Sequence, residues 1–306
     1  MSEIVILGVF VADTAYRAAR PPKIGETILG SGFALGPGGK GSNQAVASAR
    51  AGGDVAMVTR LGRDTFGEMA LATWADAGVT PLIEQGETPT GAAYIFVEDG
   101  SGDNAIIIYP GAAGEIDTAF VEARADAIAG AKVFVTQLEQ PMTAASRGLE
   151  IARKGGAATI LNPAPAAELP DGILASCDYV TPNETEAEAI TGIGVETVDE
   201  ARKAGDALLA AGVAKAAILT LGARGALFHA SDRSELVPAF DAGPVVETTG
   251  AGDAFNGGFA TALAEGRDPL EAVRFGCATA SISVTRPGTA PSMPTRAEID
   301  ALFVRG

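Results

Sequence analysis

Short runs of branched aliphatic residues alternate along the chain with alanine-rich stretches in which apolar residues recur at helical spacing. The runs have the length and composition of buried strands, and the stretch 200–211, closed by Gly212, is typical of the helices between them. This alternation predicts an α/β fold in which a mostly parallel sheet is covered by helices on both faces. The predicted strands are 4–10, 55–60, 132–138, 158–161, 178–181 and 216–221.

The region between the second and third of these strands departs from the pattern. Two strand-like runs, 92–98 and 104–109, are joined by the glycine- and aspartate-rich segment 99–103, which is typical of a hairpin loop. Together with residues from about 14 to 33, they predict a small antiparallel β lid over the end of the sheet. An edge hairpin of the main sheet is the alternative interpretation. We predict a single domain over residues 1–306, with the lid formed by insertions at about 14–35 and 88–110.

Composition narrows the choice of partner and compartment. The chain has 306 residues and is 47% hydrophobic, so it has enough apolar side chains for a large core. Its formal charge of −16, with no basic run, would repel a nucleic acid, and we expect none as a partner. The N-terminal residues lack the basic region of a signal peptide, and no apolar run reaches the roughly 18 residues of a membrane span. We therefore expect a cytoplasmic protein that does not bind membranes.

Few side chains other than carboxylates are available for acid–base chemistry. Cys177 and Cys277 are far apart and in no metal-ligand spacing, so we expect them to be buried thiols. The single histidine, His229, lies in the run 226–230, which we predict to be a surface strand, and we assign it no catalytic role. Carboxylates must therefore carry most of the proton transfer.

A glycine-rich segment before a predicted helix gives the strongest local signal for chemistry. Gly250 and Gly252 precede Asp253, which begins the predicted helix 253–265 before Gly266 ends it. Unobstructed backbone N–H groups at the positive end of a helix suit a phosphate whose charge grows during transfer. Asp253, in the first turn, is then placed to accept a proton from an attacking hydroxyl. The alternative is a structural turn in which Asp253 only caps the helix.

A second glycine-rich segment, 36–44, precedes a small-residue helix predicted at 45–51. It is not a P-loop, since Gly41 follows Lys40 where Ser or Thr is required, and no dinucleotide-binding fingerprint follows the first strand. Its bare backbone, Lys40 and Asn43 are able to approach a polyhydroxylated ligand closely. Tight packing of a helix against the sheet, with an exposed lysine, explains the segment equally well.

Further polar segments lie at predicted strand ends, where parallel sheets bind their ligands. Asn183 and Glu186 form a capping-box pattern, and the alternative role for Glu186 is to hold Mg²⁺ through water. The segment 220–225 offers backbone against which a purine nucleotide could lie, or it is simply a turn. Asp13 and Glu139 each follow a strand and are able to bind sugar hydroxyls, unless they are only solvated.

Taken in order, these segments resemble the PfkB carbohydrate kinases, and most closely the ribokinases among them. The two glycine-rich segments, 38–45 and 249–255, are similar to the two signatures of that family. The resemblance implies a ribokinase-like three-layer fold with a β lid that often mediates dimerisation, and hence a homodimer. It also implies an enzyme that uses ATP and Mg²⁺ to phosphorylate the hydroxymethyl group of a small sugar, with D-ribose as the first choice. The resemblance extends along almost the whole chain, because the segments 137–139, 162–166, 182–186 and 220–222 also match the family.

The resemblance further implies a role for each matching residue. Catalysis is assigned to the base Asp253 and to an anion hole formed by Gly250, Ala251 and Gly252. The sugar is assigned to Asp13, Gly38, Gly39, Lys40, Asn43 and Glu139. The nucleotide is assigned to Asn183, Thr220, Gly222, Gly225 and Cys277, with Glu186 near its Mg²⁺. A monovalent cation, K⁺ in the family, is assigned to Glu247, Thr249, Ser283, Arg286, Gly288 and Ser292.

Three residues depart from the family pattern. Glu247 stands where the family usually has Asp, and its extra methylene moves the carboxylate by about 1.5 Å, enough to reshape a cation site. Val9 and Val11 stand where ribokinases have Ser and Asn, and Val11 offers no hydrogen bond to a sugar hydroxyl. The alternatives within the family are therefore kinases of a nucleoside, fructose or ketodeoxygluconate. From another class, a non-catalytic sugar-binding protein of the same fold is the alternative.

Overall fold

The computed structural model describes residues 2–305, which form a main sheet of nine strands, a second sheet of four strands and the helices around them. The strands are β1 (Ile4–Leu7), β2 (Val11–Ala18), β3 (Gly32–Gly38), β4 (Val55–Gly62), β5 (Thr80–Gly86), β6 (Thr90–Glu98), β7 (Asn104–Gly111), β8 (Val133–Thr136), β9 (Ala158–Leu161), β10 (Tyr179–Val180), β11 (Ala216–Thr220), β12 (Ala226–His229) and β13 (Ser234–Val237). The α-helices are α1 (Lys40–Arg50), α2 (Thr65–Ala77), α3 (Thr118–Glu122), α4 (Ala125–Ala129), α5 (Met142–Gly155), α6 (Glu184–Thr191), α7 (Val198–Ala210), α8 (Ala251–Ala264), α9 (Pro269–Ser283) and α10 (Arg296–Phe303).

The main sheet is mostly parallel, as the sequence predicts. Its strand order is β13-β12-β11-β10-β9-β8-β1-β4-β5. Neighbouring strands from β11 to β5 are parallel, whereas β12 is antiparallel to both β11 and β13. The carboxyl ends of the parallel strands therefore meet at one edge of the sheet, where ligands of such folds bind.

Hydrophobic cores lie on both faces of the main sheet, because successive residues of a strand point in opposite directions. Ile4 and Ile6 of β1 belong to a core that includes side chains of α1, α2, α8, α9 and α10. Val5 and Leu7 belong to a second core with side chains of helices α3 to α7. The predicted coverage of the sheet by helices on both faces is thus confirmed.

The second sheet, with strand order β3-β2-β6-β7, forms the predicted lid. The prediction of a wholly antiparallel lid is wrong, because β2 and β6 are parallel. Both strands follow parallel strands of the main sheet, β1 and β5, and so enter the lid in the same direction. The first insertion is also longer than the predicted 14–35, since β2 begins at Val11 and β3 ends at Gly38.

Two predicted elements around α1 have different bounds in the structure. The strand predicted at 4–10 ends at Leu7, because the Val9 carbonyl accepts a hydrogen bond from the Ser42 N–H at 3.0 Å and so faces α1. The helix predicted at 45–51 begins at Lys40, because the buried residues of its first turns are polar and hide the apolar pattern. The sequence pattern does not predict β5 or β13.

The prediction that His229 lies at the surface is wrong, although it does lie on a strand. Its side chain is buried between α7 and β13, with the ring nitrogens 2.9 Å from Asp206 Oδ1 and 3.0 Å from Ser234 Oγ. These two partners satisfy a polar ring at the edge of the core.

One expectation from composition, on the cysteines, is confirmed by the fold. Cys177 and Cys277 are buried free thiols, as predicted. Within residues 2–305, no helix combines the length and the apolar character needed to cross a membrane.

Close packing of α1 against α8 sets the position of the residues at their N-termini. A Cβ atom on Gly257 would lie 2.5 Å from the Ala47 Cβ and 2.8 Å from the Gln44 carbonyl oxygen, so a larger residue would force the helices apart. Further along the contact, the Ser48 and Thr261 hydroxyl groups share a hydrogen bond of 2.8 Å. The N-terminal turns of both helices consequently meet at the carboxyl edge of the sheet.

Candidate active site

A cleft of about 640 Å³ lies beyond the carboxyl ends of the central strands. Its walls include the first turns of α1 and α8, the segments that follow β9, β10 and β11, and part of α9. This cleft brings together eleven of the residues predicted from sequence, namely Lys40, Asn183, Glu186, Thr220, Gly222, Gly225, Gly250, Ala251, Gly252, Asp253 and Cys277.

The Asp253 carboxylate is 6% exposed and is held by amide groups of α1. Its Oδ1 accepts a hydrogen bond from Gln44 Nε2 at 3.0 Å, and its Oδ2 accepts one from Asn43 Nδ2 at 3.1 Å. Both donors are neutral, so they orient the carboxylate without forming an ion pair. Each carboxylate oxygen retains a lone pair beyond the one that the amide uses. Asp253 is therefore able to accept a proton from a ligand in the cleft.

The N-terminal turn of α8 presents free backbone donors. Across the described chain, the N–H groups of Gly250, Gly252 and Asp253 have no hydrogen-bond acceptor, whereas the Ala251 N–H donates to the Thr248 carbonyl at 3.1 Å. The Ala251 N–H, which the resemblance also assigns to the anion hole, is thus engaged by a turn at the helix start. Gly250 adopts the left-handed conformation (φ +81°) that leads the chain into the helix.

The polar wall beside Asp253 comes from the lid and from the end of β8. Glu139 Oε2 accepts a hydrogen bond from the Lys40 backbone N–H at 2.8 Å. The Asp13 carboxylate of β2 lies over Gly38 of β3, where any Cβ would come within 2.2 Å of its Oδ2. Gly39 then leads directly into α1. These are residues that the resemblance assigns to the sugar.

Asn43 carries a buried acceptor that no protein group uses. Its Nδ2 is bonded to Asp253, but within residues 2–305 its Oδ1 has no hydrogen-bond partner. Burying such an atom unpaired is costly, so a ligand donor at this position would restore a lost hydrogen bond. The location next to Asp253 suits a ligand hydroxyl.

Burial dominates the electrostatics of the carboxylates in the site. Desolvation raises the pKa of Glu139 to about 7, although the positive charge of Lys40 opposes the rise. Desolvation, followed by the charge of Asp253, raises the pKa of Asp13 to about 6. The pKa of Asp253 is raised by burial as well, against the opposing effects of Lys40 and its two amide donors.

Lys40 supplies a positive charge among these carboxylates. Burial on its own would lower the pKa of the ammonium group, but Asp253, Glu139 and Glu186 outweigh it, and the net pKa is raised. Lys40 is therefore charged at neutral pH and attracts an anionic ligand into the cleft.

Asn183 and Glu186 form the predicted capping box at the start of α6. Asn183 Oδ1 accepts from the Glu186 N–H at 2.8 Å, and Glu186 Oε2 accepts from the Asn183 N–H at 2.9 Å. Both residues also line the cleft, so capping and contact with a ligand are compatible. The neighbouring walls hold the other residues assigned to the nucleotide, which are Thr220, Gly222, Gly225 and Cys277.

The loop that follows α9 lies beside the segment before α8. Glu247 Oε2 joins them by accepting a hydrogen bond from the Gly288 N–H at 2.8 Å. The Arg286 guanidinium pairs with Glu298 of α10, which leaves only its backbone for a cation in this loop. Thr249 is exposed. Ser283 and Ser292 are the other two residues assigned to the cation. Their hydroxyl groups donate to nearby carbonyls, which leaves the lone pairs of the hydroxyl oxygens available to a cation.

Three buried amides near Asp253 are not assigned by the sequence interpretation: Gln44, Gln137 and Asn162. Gln137 Nε2 donates to Gln44 Oε1 at 2.6 Å, and Gln44 Nε2 also donates to Asn162 Oδ1 at 3.1 Å. All three lie in segments that carry the family resemblance. Amide side chains next to predicted strand ends are a signal for a buried polar site, because buried amides need hydrogen-bond partners. Their convergence is not visible in the sequence, since they come from α1 and from the ends of β8 and β9.

Comparison with known proteins gives a consistent family assignment. A family described as pfkB family carbohydrate kinase matches residues 1–296. The chain is 38% identical to the ribokinase of Haemophilus influenzae over 297 residues, which cover 96% of each protein. It is also 36% identical to the deoxyribokinase of Salmonella typhi over 296 residues, again 96% of each protein. The structure of Arabidopsis thaliana ribokinase complexed with ribose and ATP is 30% identical in sequence and superposes with a TM-score of 0.91, covering 99% of this chain and 98% of that one.

We expect the Glu139→Gln variant to be more stable than the parent at pH 8 and to lose this advantage as the pH falls. The pKa of Glu139 is raised to about 7 in the folded protein, so the folded state holds this proton more tightly than the unfolded state. In the parent, the stabilisation that comes from this proton is complete below the unfolded pKa and is lost as the pH rises through about 7. The variant carries no titrating group at this position and loses nothing over the same range. The gain in free energy of unfolding should approach roughly 2–3 kcal/mol at pH 8, measured by urea denaturation from pH 4 to 8.

A matched control is Glu188→Gln, which removes an exposed carboxylate from α6. We expect its free energy of unfolding to differ from that of the parent by the same small amount at every pH. If Glu139→Gln behaves like this control, the description of Glu139 as a strongly desolvated carboxylate is wrong.

Proposed function

The chain belongs to the pfkB family of carbohydrate kinases, and from this premise we propose that it phosphorylates D-ribose with ATP to give ribose 5-phosphate. Residues 1–306 act as a single domain, and Asp253 is the general base. The observation that carries the proposal is the pairing, in one cleft, of the oriented Asp253 carboxylate with the free N–H groups of the α8 start.

The proposed reaction is a phosphoryl transfer from ATP to the sugar, with the two ligands bound on either side of Asp253 and the start of α8. The hydroxymethyl group of the sugar gives its proton to Asp253 while its oxygen bonds to the γ-phosphorus, and the bond from that phosphorus to the ADP oxygen breaks. The free N–H groups of Gly250, Gly252 and Asp253 stabilise the charge on the phosphoryl oxygens, together with Lys40. Burial raises the pKa of Asp253, which makes it a stronger base than an exposed aspartate.

The two ligands have separate groups of residues in this proposal. Asp13, Glu139 and the unpaired Asn43 Oδ1 accept hydrogen bonds from the sugar hydroxyls. The backbone around Thr220 and Gly222, together with the apolar wall at Cys277, holds the nucleotide.

Mg²⁺ is a further component of the proposed reaction, in which it would neutralise part of the charge on the phosphates of ATP. Both oxygens of Glu186 accept hydrogen bonds from Asn183 but retain further lone pairs, and the residue lines the cleft. This arrangement fits a carboxylate that holds the waters of Mg²⁺, a cation that keeps several waters when bound.

We also propose a monovalent cation site, most simply for K⁺, beside the anion hole. The carboxylate of Glu247, the lone pairs of Ser283 and Ser292 and the carbonyls of the loop around Gly288 supply oxygen ligands. A cation there would hold the loop against the segment that begins α8, and Thr249 and the Arg286 carbonyl complete the assigned set.

A homodimer through the lid is the third part of the proposal. The strand register puts a set of apolar side chains on the lid face opposite to Asp13. These side chains are 45% to 69% exposed, and contiguous apolar patches of this kind mark protein interfaces. The set consists of Tyr16, Phe33, Leu35, Ile107 and Tyr109.

We place the enzyme in the cytoplasm, which supplies ATP and keeps free thiols reduced.

Phosphorylation of 2-deoxyribose is a second candidate function. Val11 is an aliphatic residue 5% exposed and offers no hydrogen bond to a hydroxyl group. The similarity to a deoxyribokinase is nearly as high as that to ribokinases.

We expect Asp253→Asn to lower turnover of ribose and ATP by about 10³-fold, because the amide keeps the shape but cannot accept the proton. ADP release measures turnover, and calorimetry should give a ribose dissociation constant close to that of the parent. The control Asp126→Asn, at an exposed position of α4, should turn over like the parent. Parent-like turnover by Asp253→Asn would show that another group is the base.

The same assay with ribose, 2-deoxyribose, fructose, ketodeoxygluconate and nucleosides decides the substrate, for which we expect the highest kcat/KM with ribose. If another acceptor has a higher kcat/KM, that acceptor replaces ribose as the proposed substrate. Sugar binding without turnover of any acceptor would favour a non-catalytic sugar-binding protein.

We expect the parent to turn over faster in KCl than in tetramethylammonium chloride at equal ionic strength. Glu247→Gln should abolish this difference, because it removes the anionic ligand, whereas Glu235→Gln at an exposed position of β13 should retain it. A parent that is equally active in both salts has no functional site for K⁺.

We expect Ile107→Lys to dissociate the dimer, since it puts a charge into the apolar lid face. Light scattering after size-exclusion chromatography measures the mass. Val304→Lys is the control, because Val304 is also apolar and exposed but lies beyond α10. A parent that is monomeric, or an Ile107→Lys variant that stays dimeric, would contradict the proposed interface.

A further inference from the structure

Gln44, Gln137 and Asn162 form a chain of buried hydrogen bonds behind Asp253. Gln137 Nε2 donates to Gln44 Oε1 at 2.6 Å, and Gln44 Nε2 donates both to Asp253 Oδ1 at 3.0 Å and to Asn162 Oδ1 at 3.1 Å. Gln44 and Gln137 are completely buried, and Asn162 is 6% exposed. The chain therefore connects the start of α8 to α1 and to the ends of β8 and β9.

The hydrogen-bond partners allow the Gln44 amide only one orientation. If the amide were turned by 180°, its oxygen would face the oxygens of Asp253 and Asn162, and a turn of the Gln137 amide, whose own oxygen has no partner among residues 2–305, would not relieve that contact. Asn162 is itself fixed, because its Nδ2 donates to the Thr181 carbonyl at 3.1 Å and its oxygen is left facing Gln44. The donors on the Gln44 nitrogen are thus directed at the carboxylate by the residues behind it.

We propose that Gln44 is a positioning residue for Asp253, and that Gln137 helps to hold the Gln44 amide in place by donating to its oxygen. This inference rests on the proposed role of Asp253 as the base. Asn43 holds one carboxylate oxygen and Gln44 holds the other, so the pair sets the rotation of the carboxylate about its Cβ–Cγ bond. That rotation decides which lone pairs face the hydroxyl group of the acceptor.

A neutral donor suits this role better than a charged one. A guanidinium or ammonium group bonded directly to the carboxylate would strongly favour its ionised form and weaken it as a base. An amide orients the carboxylate and opposes the effect of burial on its pKa only in part. Loss of the Gln44 donor should therefore both misalign Asp253 and move its titration to higher pH.

The test is the pH dependence of kcat for Gln44→Met, which keeps the length of the side chain and removes its donors. We expect kcat to fall by about 10–100-fold, with the KM for ATP within about twofold of the parent value. The acid limb of the kcat profile should move to higher pH, because a hydrogen bond to the ionised carboxylate is lost. Gln44→Glu, which puts a second carboxylate against Asp253, should move the limb further in the same direction.

Gln137→Met tests the second half of the inference. We expect a smaller loss of kcat and a shift of the acid limb in the same direction, since the Gln44 oxygen then loses its donor and the amide is held less firmly. The double variant should be no slower than Gln44→Met, because both substitutions act through one contact. Losses that simply multiply would show that Gln137 acts independently of Gln44.

Gln140→Met is the matched control. Gln140 is 3% exposed and its Nε2 donates to Thr136 Oγ1 and to the Gln137 carbonyl, but it does not contact Asp253. We expect this variant to lose stability and to keep the acid limb of the parent. If Gln44→Met and Gln44→Glu both keep the kcat and the acid limb of the parent, Gln44 does not position the base.

The Asp253→Asn variant, measured alongside, separates this inference from the proposed function. Parent-like turnover by Asp253→Asn would show that Asp253 is not the base, and Gln44 would then have no base to position. An inactive Asp253→Asn variant beside a parent-like Gln44→Met variant would overturn the positioning role alone. Should Gln44→Met not fold, Gln44→Glu and Gln137→Met carry the same comparison.

Discussion

The meeting of two helix N-termini at one buried carboxylate is the constraint on which the site depends. Helices α1 and α8 approach closely only because residue 257 is glycine, whose missing side chain leaves room for Ala47. This contact brings the amides of Asn43 and Gln44 to the two oxygens of Asp253. It also directs the positive ends of both helices at the same small volume, which suits an anionic ligand. A substitution that separates the helices would disturb the proposed base and the proposed anion hole together.

The electrostatics of the cleft are unfavourable for the unliganded protein and favourable for the proposed reaction. Asp13, Glu139 and Asp253 are carboxylates whose pKa values are raised by burial, and Lys40 compensates only part of their charge. Such groups reduce stability at neutral pH, as is common where a site is arranged for chemistry. The protein as a whole carries a charge of −16, so the phosphates of a nucleotide must be attracted by local features. In the proposed function, Lys40 and the free N–H groups of α8 are those features.

Elements whose pattern is local were predicted well, and those shaped by a distant contact were not. Strand 158–161 has the bounds that the sequence predicts, and the capping box of Asn183 and Glu186 forms as expected. The strand predicted at 4–10 stops at Leu7, because the Val9 carbonyl bonds to α1. His229 is buried because α7 and β13 cover its strand. The parallel pairing of β2 with β6 follows from the direction of the main-sheet strands and not from the hairpin loop beside it.

By itself, the sequence determined the α/β alternation, the family and the segments that line the cleft, because each depends on residues close together in the chain. Only the tertiary structure decided which groups in those segments are available. Among residues 2–305, it uses the Ala251 N–H in a turn, leaves the Asn43 Oδ1 unpaired and directs Gln44 at Asp253. The Asn43 and Asp253 side chains that share a hydrogen bond are 210 residues apart in the chain. No local pattern specifies such a contact, since it depends on how α1 and α8 pack against the sheet.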